Sequence, residues 1–438
     1  MKILFESNLS IKPKVSFVLL DWSCRESFHM FHYLNQQNVP RESYEIIWIE
    51  YYNCQAPEIR KRLEDCAGQG KPPILDQWIV MEMPKTLYYH KHLMYNIGIV
   101  LGKGEIITIC DSDAMVRPTF VETIIKAFQE DPKIALQMDE VRNNDQRFHP
   151  FNYPSFEEVE GAGAINFKNG TTTGLVDTED PLHTFNYGAC LCARREDLIA
   201  IGGSDEHLDY LGHVCGPYEL TFRLRNIGRR EVWHPTELLY HVWHPGQAGS
   251  GNYVGPHDGM HMSSTALEAA ESGRVQPLLE NKAIQALREN PTLDPKSLIP
   301  KLIDPSCFEK WTYEAMSQSA SFYVWETAEL MESLFNYNVV KHMGRFYGLP
   351  QVLGAVDLNK QEEREHPDIL VADSQEDIKQ LIEQHCPVPE NGRDAPGAPA
   401  RDSLGSQVVD HIRRLSTLLK SDAPAASSPL ALLNSHRG

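Results

Sequence analysis

The sequence has little that would take the chain out of a reducing, aqueous compartment. No uninterrupted apolar run approaches the roughly 18 to 20 residues that cross a bilayer; the longest are of the VSFVLL kind (15–20). The opening MKILFESNLSIKPK has no long apolar stretch ending in a small-residue cleavage site, so no secretion signal is read there. The nine cysteines (24, 54, 66, 110, 190, 192, 215, 307 and 386) are odd in number and contain no C-x-x-C pair. That speaks against a disulfide framework and a structural zinc site, and leaves most of the thiols as small buried apolar groups. Positive charge is also short: Lys+Arg 41 against Asp+Glu 60 gives a formal net charge of −19, with no basic stripe to offset it. Such a chain repels a polyphosphate backbone and an anionic membrane surface. The expectation is a cytoplasmic protein with no integral membrane segment and no nucleic-acid partner.

What is present is an ordinary globular balance, 42% hydrophobic and 23% charged over 438 residues, enough for two or three domains. The first 140 residues alternate strand-like and helix-like segments. VSFVLL (15–20), an amphipathic stretch from Ser23 to Gln37 and YEIIWIE (44–50) make a βαβ opening. ILDQWIVMEM, a helical run from Leu87 to Leu101, EIITIC (105–110) and a helix from Pro118 to about Gln129 continue it. VSFVLL and EIITIC are apolar throughout, as in strands covered on both faces of a mostly parallel sheet. The fold class is therefore α/β, with helices on both faces of the sheet.

From Val141 to Pro181 the chain is polar and without period, an excursion between core elements. FNYGACLCA (185–193) reads as a strand and is followed by a helix from Arg194; PYELTFRLRNIG is a helix ended by Gly228, and REVWHPTELLYHVWHPG returns to strand. The stretch from Gln247 to Ser264 is Gly-rich and reads as a mobile loop. Residues 265 to about 350 read as mainly helical, and PDILVADSQEDIKQLIEQ adds a late strand and helix. Three units are expected: a domain over 1–250, a loop and mainly helical region over 251–387, and a low-complexity, largely disordered tail over 388–438 with one short amphipathic segment.

Four motifs can carry chemistry. Asp111-Ser112-Asp113 follows EIITIC directly, at the carboxyl end of a strand, where ligands bind in open α/β sheets. Its two carboxylates suit Mn²⁺ or Mg²⁺, hard ions that take one or two carboxylates plus phosphate oxygens. The plainer reading is a turn that caps the next helix. In YHVWHPG, His241 and His244 are three apart, so on a strand they point to opposite faces and at most one can join that metal. In GPYELTFRL, Glu219 either pairs with Arg223 four residues on, at the front of a helix, or accepts a proton from an attacking hydroxyl. In Glu50-Tyr51-Tyr52-Asn53, a carboxylate and two aromatics either grip a planar base or line the sheet rim. A second metal site at His257, Asp258 and His261 is not expected from so loose a spacing.

In order and spacing, residues 14–246 resemble an inverting family 2 glycosyltransferase of GT-A fold: VSFVLL, the acidic end of the second strand, YNIGIVLGKGEIITICDSDAMVRPTF, NYGACLCARREDLIAIGGSDE, GPYELTFRLRNIG and YHVWHPG. The resemblance implies a GT-A, Rossmann-like mixed sheet and a nucleoside diphosphate sugar donor. It puts the metal on Asp111, Asp113 and His241, the nucleotide base on Glu50 with Tyr51, and the rest of the donor on Asn96, Ser112 and Gly188. The family's Glu-Asp pair falls on Glu219 and Leu220. Leucine accepts no proton, so the base is Glu219 or one of Asp205, Glu206 and Asp209. Tyr95 stands where a cation is frequent, with Lys85 or Lys91 as a substitute.

The function expected is metal-dependent transfer of a sugar to a hydroxyl acceptor on a glycan, a lipid-linked molecule or a small molecule, with inversion. This is a hexosyl transfer of the polysaccharide-building kind, in a chain able to form a homo-oligomer. Trp22, Trp233 and Trp243 could face the acceptor sugar. Two alternatives are a non-catalytic sugar-nucleotide-binding or scaffold protein on a degenerate transferase domain, and a nucleotidyltransferase. The second normally needs a Gly-rich, basic phosphate loop, and LLDWSCRES is not one.

Overall fold

The fold is described from a computed structural model. It describes residues 1–7, 13–21, 28–53, 55–84, 87, 89–148, 152–173, 187–211, 217–243, 264–311, 328–335, 337–342, 345–350, 353, 356, 358 and 364–385. Trp22, Lys85, His244, the Gly-rich stretch 247–263 with His257, Asp258 and His261, and the tail 388–438 lie outside these residues.

The apolar runs become strands because each can bury both faces. β1 (Lys2–Glu6), β2 (Val15–Asp21), β3 (Tyr44–Glu50), β4 (Gln77–Val80) and β5 (Ile106–Cys110) enter one eight-stranded sheet. β7 (Ile134–Gln137), β11 (Cys190–Arg194) and β12 (Arg230–Trp233) complete it, in the order β1-β4-β3-β2-β5-β11-β7-β12. β4, β3, β2 and β5 run parallel, whereas β11 is antiparallel to both β5 and β7. The sheet is mixed and mostly parallel, as a GT-A-like α/β fold requires. The alternation of β2 shows why it holds: Phe17 and Leu19 pack on one face with Phe31, Trp48 and Phe120, while Val18 and Leu20 pack on the other with Leu93, Ile97 and Leu220. β1 was not expected. It adds as an antiparallel edge on β4, in register Lys2 to Val80.

Helices α1 (His29–Leu34), α2 (Pro57–Gly68) and α4 (Phe120–Glu130) cover one face. α3 (Lys91–Leu101), α6 (Arg195–Ala200) and α7 (Tyr218–Asn226) cover the other. Gly228 ends α7 as expected: its φ of +81° is one that only glycine adopts freely, and its N–H closes on Arg225 O at 2.8 Å.

A second, three-stranded sheet lies beyond the carboxyl end of β5. It joins β6 (Ala114–Val116), β8 (Glu140–Arg142) and β13 (Leu239–His241) in the order β6-β13-β8. The polar excursion after β8 has order of its own. α5 (Phe156–Glu160) is opened by a capping box between Ser155 and Glu158, an S-x-x-E signal legible in the sequence, and β9 (Phe167–Lys168) pairs with β10 (Thr171–Thr172). Asn166 moors the excursion: its Nδ2 donates to Glu140 O at 2.8 Å and its Oδ1 accepts from Arg142 N at 2.8 Å.

Two features of the C-terminal half bear on the expected organisation. The first is the packing on either side of residue 250. α8 (Ser264–Ser272), α9 (Lys282–Glu289) and the 3₁₀ turns after them pack into the first domain, because Ala283, Ile284, Leu287, Leu298, Leu302 and Trp311 belong to the same core as α3 and α6. Polar groups lock the contact. Asp205 accepts from Leu278 N at 2.8 Å and Leu279 N at 3.0 Å, and Asn281 donates to Glu206 at 2.6 Å.

The second is the helical reading of the region. Among the described residues, β14 (Ala328–Leu334), β15 (Tyr337–His342), β16 (Arg345–Pro350) and β17 (Leu370–Ala372) form a four-stranded antiparallel sheet, with α10 (Gln375–His385) packed through Ile378 and Ile382. AELMESL is made of good helix formers, and strand pairing overrides that local preference. The late strand and helix in PDILVADSQEDIKQLIEQ are where they were expected.

Candidate active site

The site is assembled by strand register. Antiparallel pairing of β6 with β13 sets His241 opposite Ala114, the residue that follows Asp113. Asp111, Asp113 and His241 thereby meet, each offering a ligand atom, with those atoms all within 4.8 Å of one another. His241 Nε2 lies 3.5 Å from Asp113 Oδ1, with Asp113 at 0% and His241 at 3% exposure, while Asp111 is half-buried. Two carboxylates and an imidazole at this spacing suit a divalent ion between hard and borderline; oxygen donors alone would favour Mg²⁺, and the imidazole moves the preference toward Mn²⁺.

The turn that carries the aspartates is held from both sides. Ser112 Oγ donates to Leu20 O at 3.1 Å, and Ser112 O accepts from Met30 N at 3.2 Å, so β2 and the start of α1 fix the turn. Asp111 N donates to Ala189 O at 3.2 Å, where the chain enters β11. Gly188 directly precedes Ala189, whose carbonyl receives that N–H.

Three other expected donor contacts have partners within the chain. Glu50 ends β3 at 0% exposure; its carboxylate accepts from Gln55 N at 2.6 Å, Ala56 N at 3.1 Å and Trp78 Nε1 at 2.8 Å. It orders the loop into α2 rather than presenting a free carboxylate to a base. Tyr51 is buried against Tyr52 and Tyr89, with ring centroids 4.9 and 5.1 Å away, and burial pushes its hydroxyl well above the usual tyrosine range. A core ring cannot stack on a nucleotide. Asn96 spends its amide on Ser204 O, Ser204 N and Glu206 Oε1 at 2.9, 2.8 and 2.9 Å. In each case the residue type suits the ligand, but tertiary packing claims the side chain first.

Glu219 has internal partners as well. It sits at 1% exposure in the first turn of α7, with Oε2 2.7 Å from Arg223 Nε and Oε1 accepting from Asp205 N at 3.1 Å. His92 Nδ1 is 3.7 Å away. Burial raises its carboxyl above the ordinary range, against the Arg223 guanidinium, which lowers it. Arg223 in turn donates to Ile201 O at 2.6 Å and Val275 O at 3.2 Å. The pair is a buried brace between α7, the loop after α6 and residue 275. The E-x-x-x-R spacing is visible in sequence, and its burial is not. Of the alternatives, Asp205 and Glu206 are likewise committed to internal N–H donors.

One acid was missed. Asp21 closes β2 beside Glu50 in the parallel register, half-buried at the carboxyl edge of the sheet. Its signal was an acid directly after an apolar strand, the same signal that marked Asp111.

No protein-family model and no curated protein matches the chain. Solved structures do resemble it. A mannosyltransferase from Pyrobaculum calidifontis, PcManGT, in complex with GDP-Man and Mn²⁺, is 15% identical over 69% of this chain and 71% of that one, with a TM-score of 0.35. TarS 1–349 of S. aureus with UDP-GlcNAc is 13% identical over 69% and 80%, at 0.40. GalNAc-T7 with UDP, GalNAc and Mn²⁺ is 15% identical over 54% and 45%, at 0.35. Likenesses this low carry no weight beside the chain's own site.

Proposed function

We propose that this protein is a metal-dependent glycosyltransferase that moves a sugar from a nucleoside diphosphate sugar to a hydroxyl acceptor. The supporting observation is the convergence of Asp111, Asp113 and His241 on one point beyond β5, at the carboxyl edge of a mixed α/β sheet. Asp111, Asp113 and His241 would hold Mn²⁺ or, less favourably, Mg²⁺. Bound there, the ion would supply Lewis-acid stabilisation of the charge that grows on a departing diphosphate. The chain's own contribution is position. Ser112 locks the turn to β2, the β6–β13 register holds the imidazole, and Ala189 O fixes the backbone of Asp111. Burial of Asp113 and His241 keeps water from competing for the ligand positions.

Glu219 acts here as a brace that fixes the front of α7. A thermal-shift screen of UDP- and GDP-sugars with and without Mn²⁺ tests the proposal, since a ligand that binds the native state raises its apparent stability. Stabilisation by a nucleotide sugar only when Mn²⁺ is present, followed by slow release of its sugar to water or to a hydroxyl acceptor, is the expected result. Metal-dependent binding without turnover across a broad acceptor panel would favour the non-catalytic alternative. No nucleotide binding at all would overturn both.

A further inference from the structure

Tyr240 is the residue before His241 in β13, and strand alternation sends the two side chains to opposite faces of the three-stranded sheet. His241 faces the aspartates. Tyr240, at 2% exposure, packs with Met115 and Val141, its partners in β6 and β8. The hydroxyl of that ring is tied to two charged groups. Arg117 Nε donates to Tyr240 OH at 2.8 Å, Tyr240 OH donates to Glu160 Oε1 at 3.0 Å, and Arg117 Nη2 closes the triangle on the same Oε1 at 2.7 Å. The guanidinium carbon lies 4.8 Å from the ring centroid of Phe156 and 5.1 Å from that of Tyr240.

Each corner of the triangle comes from a different part of the chain. Arg117 is the residue after β6, Tyr240 lies in β13 and Glu160 ends α5. The Arg117 backbone is itself held, since its carbonyl accepts from Gln37 Nε2 at 3.1 Å and Phe120 N at 3.0 Å. A second tie joins the polar excursion to β13: Asn143 N donates to His241 O at 3.2 Å, while Asn143 Nδ2 donates to Val159 O at 2.9 Å.

An ion pair this exposed, with the Arg117 side chain at 37% and Glu160 at 25%, adds little to stability by charge alone. Its geometry is what matters. β6 and β13 are three residues each, so few ladder bonds oppose a slip, and apolar packing of the Tyr240 ring is non-directional. The forked guanidinium is directional: it fixes the Tyr240 hydroxyl along the strand, and with it the residue that stands opposite Ala114.

Resting on the metal centre proposed above, we infer that Arg117 is a positioning residue for the ion. Through Tyr240, with Glu160 as its anchor, it holds the β6–β13 register that delivers the His241 imidazole to Asp111 and Asp113. The polar excursion, through Glu160, is then part of the support of the metal centre.

The test uses the full chain with Mn²⁺ alone as the probe, its affinity read from the electron paramagnetic resonance of the free ion. Removing a positive charge near a cation site strengthens binding by Coulomb's law, so weaker binding in Arg117→Ala reports lost position rather than lost charge. Arg117→Ala is expected to weaken Mn²⁺ binding by about tenfold, the low end for groups that orient a metal ligand. Tyr240→Phe, which keeps the ring and drops the hydroxyl, weakens it by about threefold or more. In a His241→Ala background, Arg117→Ala changes the remaining affinity by less than about twofold, because its route to the ion is gone. Equal or tighter Mn²⁺ binding in Arg117→Ala and Tyr240→Phe overturns the inference. So does an equal loss with and without His241, which marks a general role in the fold. Should Arg117→Ala not fold, Tyr240→Phe measured with and without His241 decides alone. A wild type that binds no Mn²⁺, or an affinity unchanged in Asp113→Asn, overturns the metal centre on which the inference rests.

Discussion

His241 stands 3.5 Å from Asp113, and strand register alone brings them together: β13 inserts between β6 and β8, and the His241 position pairs with Ala114 on one side and Arg142 on the other. A slip of one residue would turn the imidazole to the opposite face. The metal centre therefore depends on a three-stranded sheet whose strands are drawn from widely separated parts of the chain.

Replacing either partner tests that centre directly. Asp113→Asn and His241→Ala are each expected to lower Mn²⁺ affinity by about tenfold or more, read by calorimetry or by the electron paramagnetic resonance of free Mn²⁺. If both variants hold Mn²⁺ as the wild type does, the ion sits elsewhere.

The Glu219–Arg223 pair is predicted to act on stability. Arg223→Met leaves a buried carboxylate without its cation, and losing one partner of such a pair costs about 3–5 kcal/mol. Glu219→Gln should lower the urea midpoint while leaving turnover per folded molecule within a fewfold. A well-folded Glu219→Gln protein that loses turnover by roughly 10² to 10⁴ fold would return the general-base role to this residue.

Glu206 and His90 are linked, since His90 Nε2 lies 3.1 Å from Glu206 O, and burial shifts the two groups in opposite directions. Burial lifts the Glu206 carboxyl from 4.5 to about 7, against the amides of Asn96 and Asn281, which lower it. The folded state thus keeps a proton that the unfolded chain gives up, and stability falls as pH rises from 4.5 to about 7. Burial lowers His90 from 6.5 to about 4, so its contribution is present above 6.5 and is lost as pH falls toward 4. In the overlap the two slopes, each up to about 1.4 kcal/mol per pH unit, oppose one another. Glu206→Gln should unmask the histidine: urea midpoints that vary little in the wild type between pH 5 and 6.5 should rise with pH in the variant. Parallel profiles would refute the compensation.

Cys110, Cys190 and Cys192 line one face of β5 and β11, with the Cys190 and Cys192 sulfurs 3.9 Å apart, and burial pushes the Cys190 thiol well above the usual range. Native alkylation by iodoacetamide, followed by mass spectrometry, should modify half-buried Cys66 well before any of these three. Early labelling of Cys190 would mean that this face opens.

A chain ended after residue 250 should not fold stably. It lacks Ile284, Leu287, Leu298, Leu302 and Trp311 from the core under α3, and the Leu278 and Leu279 N–H groups that Asp205 accepts. Circular dichroism and urea titration of 1–250 against 1–311 test this: equal cooperativity would place the boundary at 250.

Much of this protein can be read from one dimension. Doubly apolar runs such as VSFVLL and EIITIC must be covered on both faces, so a layered α/β sheet follows from hydrophobic burial, and an acidic pair at the end of such a strand falls at the sheet's binding edge. Periodicity, however, carries no information on which polar groups burial will claim. Glu50, Tyr51, Asn96 and Glu219 have the residue types of a donor site, yet in the fold they serve Trp78, Tyr89, Ser204 and Arg223. Helix formers in AELMESL become a strand because pairing with β15 is a non-local choice. Local composition decided what could form, whereas register and desolvation, which act between residues distant in the chain, decided which carboxylates meet His241.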